Sequence, residues 1–439
     1  MTRKLFGTDG VRGVAGEFLT AELALALGAA ATRQTGARRP QVLIIRDTRE
    51  SGEMLQAAVA AGVSAAGGDA LLGGVLPTPA APLLIGRYGF DLAVVLSASH
   101  NPYEDNGIKF FAGDGYKLSD DAELAIEAQL EAGSPSHPRS IGRIRELRGA
   151  PEDYMRELHT RFRELDLGGM NVLLDCANGA TYHVAPEIFR RLGADVSVIA
   201  DEPDGRNINL DCGSTHLGGL AARVVAGGHD LGFAFDGDGD RVLAVDRAGG
   251  LVDGDELMAL ATLHLRDRGR LSGNGVAVTV MTNYGFHSAM EQAGVNVAIT
   301  NVGDRYVLEE LRAQGWTLGG EQSGHIIEMG FNRTGDGIAG ALLTLESLGG
   351  EDLSERHAMA KLPQRLVNVR VAERRALESA PELAAAIRAA ERTLAGRGRV
   401  LVRTSGTEPL VRVMVEAPTE DEARDLCGAL VAVVERELA

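Results

Sequence analysis

The stretch Asp91-Leu-Ala-Val-Val-Leu-Ser-Ala-Ser-His-Asn-Pro-Tyr-Glu-Asp-Asn-Gly-Ile-Lys-Phe-Phe111 decides how the rest of the chain is read. An apolar run, Leu92 to Leu96, has the composition of a buried strand and feeds a polar turn holding Ser97, Ser99, His100 and Asn101. Pro102 stops helix continuation and biases Asn101 toward extended backbone. After the turn dipeptide Asn106-Gly107 the chain is apolar again, yet it keeps Lys109 inside the run. Open α/β sheets place ligands at the carboxyl ends of parallel strands, where these hydroxyls stand. A plain strand-turn-strand has the same pattern, so the flanking sequence has to decide.

Upstream, Phe6-Gly-Thr-Asp-Gly-Val-Arg-Gly13 is a glycine-punctuated loop displaying Asp9 and Arg12. Thr20 is placed to N-cap an Ala/Leu-rich helix. A strand over Gln41 to Ile45 ends in Arg46-Asp47-Thr48-Arg49, a helix follows Ser51, and a short strand with a proline-rich exit is expected over Val75 to Pro82. Strands alternating with helices at this spacing predict parallel βαβ units, with the opening stretch closing the sheet. Glu131 to Leu147 reads as a surface linker, and a helix is expected around Tyr154 to Leu165. Asn171–Gly179 and Gly275–Gly285 are similar strand-turn segments, a weak repeat of roughly domain size. After Pro363 the texture changes to a smaller α+β unit.

At 439 residues the chain exceeds one core, and about three or four domains are expected. A net charge of −17 argues against a nucleic-acid or anionic-membrane surface, although a local arginine cluster can still receive an anionic substrate. Three scattered cysteines suit a reducing compartment. With no apolar run of membrane-spanning length and no signal-peptide pattern, the expected location is the cytoplasm.

Phe235-Asp-Gly-Asp-Gly-Asp-Arg241 places three carboxylates at alternate positions after an apolar strand. Unscreened, they repel one another; converging on one hard cation, they are stabilised. A calcium-binding EF-hand also begins D-x-D-x-D, but it needs glycine next and glutamate at the twelfth position, and this chain has Arg241 and Arg247 there. Three carboxylates with remaining ligands from elsewhere suit catalytic Mg²⁺. In Gly319-Gly-Glu-Gln-Ser-Gly-His-Ile326, an extended run would project Glu321, Ser323 and His325 to one side, fit for sugar hydroxyls, with His325 as a proton shuttle. Arg403-Thr-Ser-Gly-Thr-Glu-Pro409, with Arg412 beyond, offers two guanidiniums, hydroxyls and backbone N–H groups to a phosphate. There is no Walker A loop. Lys109 is one of four lysines in an arginine-rich chain, and burial would lower its pKa toward proton exchange.

Together these four motifs resemble those of the α-D-phosphohexomutase superfamily, in the family's order and over essentially the whole chain. The resemblance implies an α/β fold of four domains around a central cleft, three related α/β domains plus a smaller C-terminal α+β domain. The expected boundaries are 1–150 with the phosphoserine loop, 151–254 with the metal loop, 255–363 with the sugar-binding loop and 364–439 with the phosphate-binding loop. Gly7–Gly13, Ser97–Pro102, Gly320–His325 and Arg403–Pro409 most resemble the phosphoglucosamine mutases of bacteria. Ala98 stands where phosphomannomutase/phosphoglucomutase members tend to carry glycine, and Gln322 where they tend to carry methionine.

That resemblance implies an isomerase interconverting glucosamine 6-phosphate and glucosamine 1-phosphate on the way to UDP-N-acetylglucosamine and cell-wall precursors. Ser99 would be the phosphorylated nucleophile and, through its phosphate, a Mg²⁺ ligand beside Asp236, Asp238 and Asp240. Lys109, Arg12 and His325, with His100 next to the nucleophile, would supply acid/base and charge-stabilising groups. Glu321 and Ser323 would hold sugar hydroxyls; Arg403, Ser405, Gly406 and Thr407, with Arg412, would hold the idle phosphate. Glucosamine 1,6-bisphosphate is the implied intermediate and activator, and it must turn round in the site. The implied partner is a small phosphosugar, with no nucleic acid and no membrane; a homodimer is compatible. A hinge for the fourth domain is expected near Lys361 to Gln364.

Overall fold

Leu92–Leu96 is buried at every residue and lies inside a six-stranded sheet of a computed structural model that describes residues 3–7, 9–132, 140–371, 380–404 and 410–438. The order across this sheet is Val11–Val14, Asp105–Ala112, Leu92–Leu96, Gln41–Arg46, Asp69–Val75, Ile144–Glu146. The last four run parallel, whereas Asp105–Ala112 is antiparallel to both of its neighbours. The opening stretch therefore supplies two central strands rather than a closing edge, and the sheet is mixed rather than all-parallel. Val94 and Leu96 are fully enclosed; truncating such a side chain to alanine costs about 2–5 kcal/mol. Thr20 caps Ala21–Gln34 as expected, its hydroxyl accepting from the Leu23 N–H at 3.2 Å.

Three local expectations change. The strand expected at Val75 to Pro82 lies earlier, over Asp69–Val75, and Ala80–Tyr88 is a helix. Proline is tolerated in a helix's first turn, where the N–H has no intrahelical partner, so Pro82 permits what was read as an exit loop. The expected linker contributes an edge strand, Ile144–Glu146, parallel to Asp69–Val75; its residues 133–139 lie outside those described. The helix expected around Tyr154 to Leu165 spans Ala150–Arg161.

A second sheet has the order Leu251–Val252, Val242–Asp246, Leu231–Phe235, Asn171–Asp175, Asp195–Ile199, and a third Asn296–Thr300, Gly275–Thr279, Leu318–Gly320, Ile326–Glu328. One device recurs in all three. A strand paired in parallel on one side turns into an antiparallel partner on the other: Leu96 into Asp105, Phe235 into Val242, Gly320 into Ile326. Each chemistry-bearing loop is thus the hairpin at which sheet polarity switches, outside the strand's carboxyl end.

The chain separates into two units. One holds residues 1–280 and 296–356, and with them these three sheets; the other holds 281–295 and 357–439. The second unit has an antiparallel sheet, Gln364–Arg370, Leu410–Glu416, Arg399–Thr404, packed by Pro381–Leu394 and Glu420–Leu438 around Val411, Val413, Leu383 and Leu430.

Candidate active site

Within the first unit the hairpins bring Ser99, Lys109, Asp236, Asp238, Asp240 and His325 into one buried cluster, with Arg12 of the strand Val11–Val14 half-buried beside it. Ser99 is 2% exposed, and its hydroxyl donates to Asp236 Oδ2 at 2.5 Å. The Ser97 hydroxyl instead donates to Asp47 at 2.6 Å and accepts the Ser99 N–H at 2.9 Å. Two serines that spacing leaves equivalent are thereby separated: one faces the aspartates, the other is tied into the fold. His100 Nδ1 lies 3.3 Å from Ser99 Oγ and 3.4 Å from Arg241 Nη1. Burial first, then the Arg241 and Arg12 charges, lower its pKa and keep the ring neutral.

The three aspartates are buried, and one oxygen from each lies within 4.8 Å of the others. At an effective dielectric of ~20, each charged pair at that separation repels by about 3–4 kcal/mol. Burial, then Asp240 and Asp238, push the Asp236 carboxyl well above the usual range. Asp238 Oδ2 receives Lys109 Nζ at 2.7 Å and the Thr78 hydroxyl at 2.6 Å. Asp238 Oδ1 and Asp240 Oδ1 are buried with no hydrogen-bond partner among the described residues, and Arg241 Nε stands 3.7 Å from the latter, outside bonding reach. Enclosed, mutually repelling, partly unpartnered carboxylate oxygens are the donor set of a hard divalent cation. The residues present fit one.

Lys109 is not a depressed-pKa base. Burial disfavours its ammonium, but Asp238 at 2.7 Å and Asp9 at 3.0 Å outweigh burial and raise its pKa. The expectation from burial alone fails because two carboxylates are buried with it. Asp9 accepts from Arg12 and, at 2.5 Å, from Lys117, whose Nζ also reaches Asp304 at 2.5 Å. Burial opposes the Asp9 charge; Lys109, Lys117 and Arg12 still hold its carboxyl well below the usual range. His325 closes the circuit, with Nδ1 3.5 Å from Asp240 and Nε2 3.9 Å from Asp304. Charges of alternating sign therefore run Asp238, Lys109, Asp9, Lys117, Asp304, and the His325 ring lies between Asp304 and Asp240.

The sugar-loop expectation needs a geometric correction. Gly320 to Ile326 is not extended but a tight hairpin, with Gly324 N–H bonded to Glu321 O at 2.9 Å. His325 turns inward and is 2% exposed, whereas Glu321 and Ser323 stay half-buried, and Glu321 accepts the Gly303 N–H at 3.0 Å. The Gly335 N–H donates to His325 Nε2 at 3.0 Å, and a Cβ at Gly335 would lie 2.6 Å from the ring. With that amide in place, the ring carries its proton on Nδ1, toward Asp240. Burial opposes a second proton while Asp240 and Asp304 favour it and raise the pKa; Nε2 takes it only if the amide turns away.

In the second unit, Arg403 and Arg412 are directly opposite each other on adjacent antiparallel strands. Like charges so placed destabilise a sheet, and burial with Arg412 lowers the Arg403 pKa. Arg412 Nε is buried without a hydrogen-bond partner among the described residues. Two guanidiniums so placed suit an anion. Ser405, Gly406 and Thr407 lie outside the described residues.

Arg49, Lys117, Asp304 and Asn209 were not singled out from sequence. The scarcity of lysine that marks Lys109 marks Lys117 equally; nothing in the sequence flags Asp304 or Asn209.

Family models described as phosphoglucomutase/phosphomannomutase match as alpha/beta/alpha domain I over residues 3–137, domain II over 152–250, domain III over 253–366 and the C-terminal domain over 366–433. A phosphoglucosamine mutase of Moorella thermoacetica is 51% identical over 436 residues, covering 97% of this chain and 98% of that protein. One from Mycolicibacterium paratuberculosis is 50% identical, covering 98% and 99%. Among solved structures, a phosphoglucomutase/phosphomannomutase family protein of Burkholderia thailandensis superposes with a TM-score of 0.80 at 22% identity, covering 99% of this chain and 97% of that one. The Aspergillus fumigatus N-acetylphosphoglucosamine mutase, in complex with GlcNAc-6P and magnesium, gives 0.68 at 20%, covering 100% and 96%. The chain belongs to the phosphoglucomutase/phosphomannomutase family of α-D-phosphohexomutases, in its phosphoglucosamine mutase branch.

Proposed function

We propose that this mutase interconverts glucosamine 6-phosphate and glucosamine 1-phosphate through a phosphorylated Ser99 and a 1,6-bisphosphate. The observation that carries the reading is the Ser99 hydroxyl at 2.5 Å from Asp236, inside a buried carboxylate triad with two oxygens unpartnered among the described residues. Asp236, Asp238 and Asp240 would hold Mg²⁺, which would supply positive charge against that gathered during phosphoryl transfer.

In the forward half-reaction a sugar oxygen bonds to phosphorus as the bond from phosphorus to Ser99 Oγ breaks. One proton passes, in net, from the sugar hydroxyl to Ser99. Lys109, held as an ammonium, has a proton to give to the departing oxygen and can then take up the sugar's. Arg12 adds positive charge, His100 is a neutral neighbour of the nucleophile, and His325 fixes Asp240. The second half-reaction reverses these steps on the other phosphate after the bisphosphate turns round. Glu321 and Ser323 are assigned to sugar hydroxyls, and Arg403, Ser405, Gly406, Thr407 and Arg412 to the phosphate that is not reacting. The four domains are assigned to 1–150, 151–254, 255–363 and 364–439.

The product would supply UDP-N-acetylglucosamine synthesis in the cytoplasm. Among the described residues, no helix is long and apolar enough to cross a membrane. A coupled assay comparing glucosamine 6-phosphate with glucose and mannose phosphates tests the substrate. Higher kcat/KM on the amino sugar is expected; a strong preference for the neutral sugars would overturn the assignment.

A further inference from the structure

Ser99 has φ +53°, a left-handed conformation uncommon for a residue with a side chain and retained only where its surroundings impose it. Both of its backbone groups are held. Its N–H donates to Ser97 Oγ at 2.9 Å, and its carbonyl accepts from Arg49 Nη2 and from Asn209 Nδ2, each at 2.9 Å. Arg49 is wholly buried, is paired with Asp47 at 2.8 Å, and also donates to the carbonyls of Asn101, Pro102 and Asp105. It pins the serine loop from within the first sheet's own domain.

Asn209 does so from outside, since it belongs to the domain that carries the three aspartates. Its second amide hydrogen donates to the Asn101 carbonyl at 3.1 Å, so both donors are spent on the serine loop. Turning the amide over would set Oδ1 against two carbonyl oxygens, which fixes its orientation. Oδ1 is buried without a partner among the described residues, so this amide is placed for its donors. The aspartate loop packs on the same point: a Cβ on Gly237 would lie 2.6 Å from the Ser99 carbonyl oxygen and 2.7 Å from Asn209 Nδ2. Asn209 is itself left-handed, φ +59°, which asparagine tolerates better than most residues.

We propose that Asn209 is a positioning residue for phosphoryl transfer, registering the left-handed Ser99 against Asp236 by binding its carbonyl from the metal-loop side. This rests on the reading of Ser99 as the phosphoryl acceptor. Asn209 is 7% exposed beneath the loop and touches no substrate in that role, so its loss reduces kcat rather than raising KM.

The test uses the full chain carrying Asn209→Asp, which keeps the shape and removes both donors, beside Asn209→Ser and Ser99→Ala. Melting temperature, kcat and KM on glucosamine 6-phosphate are measured, along with phosphate on Ser99 by mass after exposure to the 1,6-bisphosphate. The expected result for Asn209→Asp is a loss of kcat of roughly a hundredfold, the scale of an ångström-size misplacement, with KM little changed and Ser99 phosphorylation slowed in parallel. Parent-like kcat, at whatever melting temperature, would overturn the proposal and leave Asn209 as a domain contact. If Asn209→Asp does not fold, Asn209→Ser decides on the same readouts, with reduced kcat expected. Ser99→Ala that stays active sinks the acceptor reading itself; inactive Ser99→Ala beside a parent-like Asn209 variant sinks only the role of Asn209.

Discussion

The Ser97 hydroxyl donates to Asp47 at 2.6 Å, and Asp47 holds Arg49 at 2.8 Å with neither side chain exposed. Ser97 therefore belongs to the support of the serine loop. Ser97→Ala removes one buried hydrogen bond from Asp47 and one from the Ser99 amide, costing about 1–3 kcal/mol. The variant is expected to melt lower yet still carry phosphate on Ser99, as mass mapping would show. Loss of phosphate with unchanged melting would reassign the two serines.

The aspartate triad makes a prediction in metal-free buffer. Asp236→Asn relieves repulsion among buried carboxylates, so with chelator present it should melt higher than the parent. Mg²⁺ should raise the parent's melting temperature with concentration, as a ligand of the folded state does, and should raise that of Asp236→Asn much less. Turnover that continues undiminished in chelator would contradict the metal assignment.

Lys117 bridges Asp9 and Asp304 at 2.5 Å to each. Lys117→Met takes the close cation from Asp304 and leaves Asp9 with Lys109 and Arg12. Breaking a buried pair costs about 3–5 kcal/mol, less here because Lys117 keeps 20% of its side chain exposed. Adding Asp304→Asn should recover part of the loss, a non-additivity read by thermal melts of the two single variants and the double. Strict additivity would show that the circuit is not energetically linked.

Asp336 caps the helix Gly337–Leu348 and, buried, accepts the Tyr154 hydroxyl at 2.9 Å. Burial raises its pKa to about 6 despite the Ala339 N–H and Tyr154. The folded state thus keeps a proton that the unfolded chain releases near pH 4, so this group's contribution falls as pH rises from about 4 to about 6. The full change is about 3 kcal/mol. Melting temperatures of Asp336→Asn minus parent should grow more positive across that window and level off above it. A constant difference would refute the shift.

Much of this was legible because the serine and aspartate motifs each follow a strand whose residues are all apolar. Leu92–Leu96 and Leu231–Phe235 announce themselves by composition, and the turns after them by glycine, proline and paired polar groups. The polarity switch was not legible, because an antiparallel return such as Asp105–Ala112 has the same composition as another parallel strand. Ala80–Tyr88 was hidden by prolines that a first helical turn accepts. The hairpin at Gly320 to Ile326 reads as alternation until Gly324 takes φ +86° and folds it. Lys109 stands out by composition, but the direction of its pKa shift does not, since its partners Asp238 and Asp9 lie far from it in sequence. Lys117, Asp304 and Asn209 are ordinary residues alone and gain meaning only from long-range neighbours.

The central claim is that the phosphoryl group passes through Ser99. Quenching the enzyme during turnover of glucosamine 6-phosphate and mapping phosphate by peptide mass tests it most directly. The account predicts a phosphate-sized increment on the peptide at Ser99, absent from Ser99→Ala together with mutase activity. An increment at Ser97, or activity retained in Ser99→Ala, would contradict it.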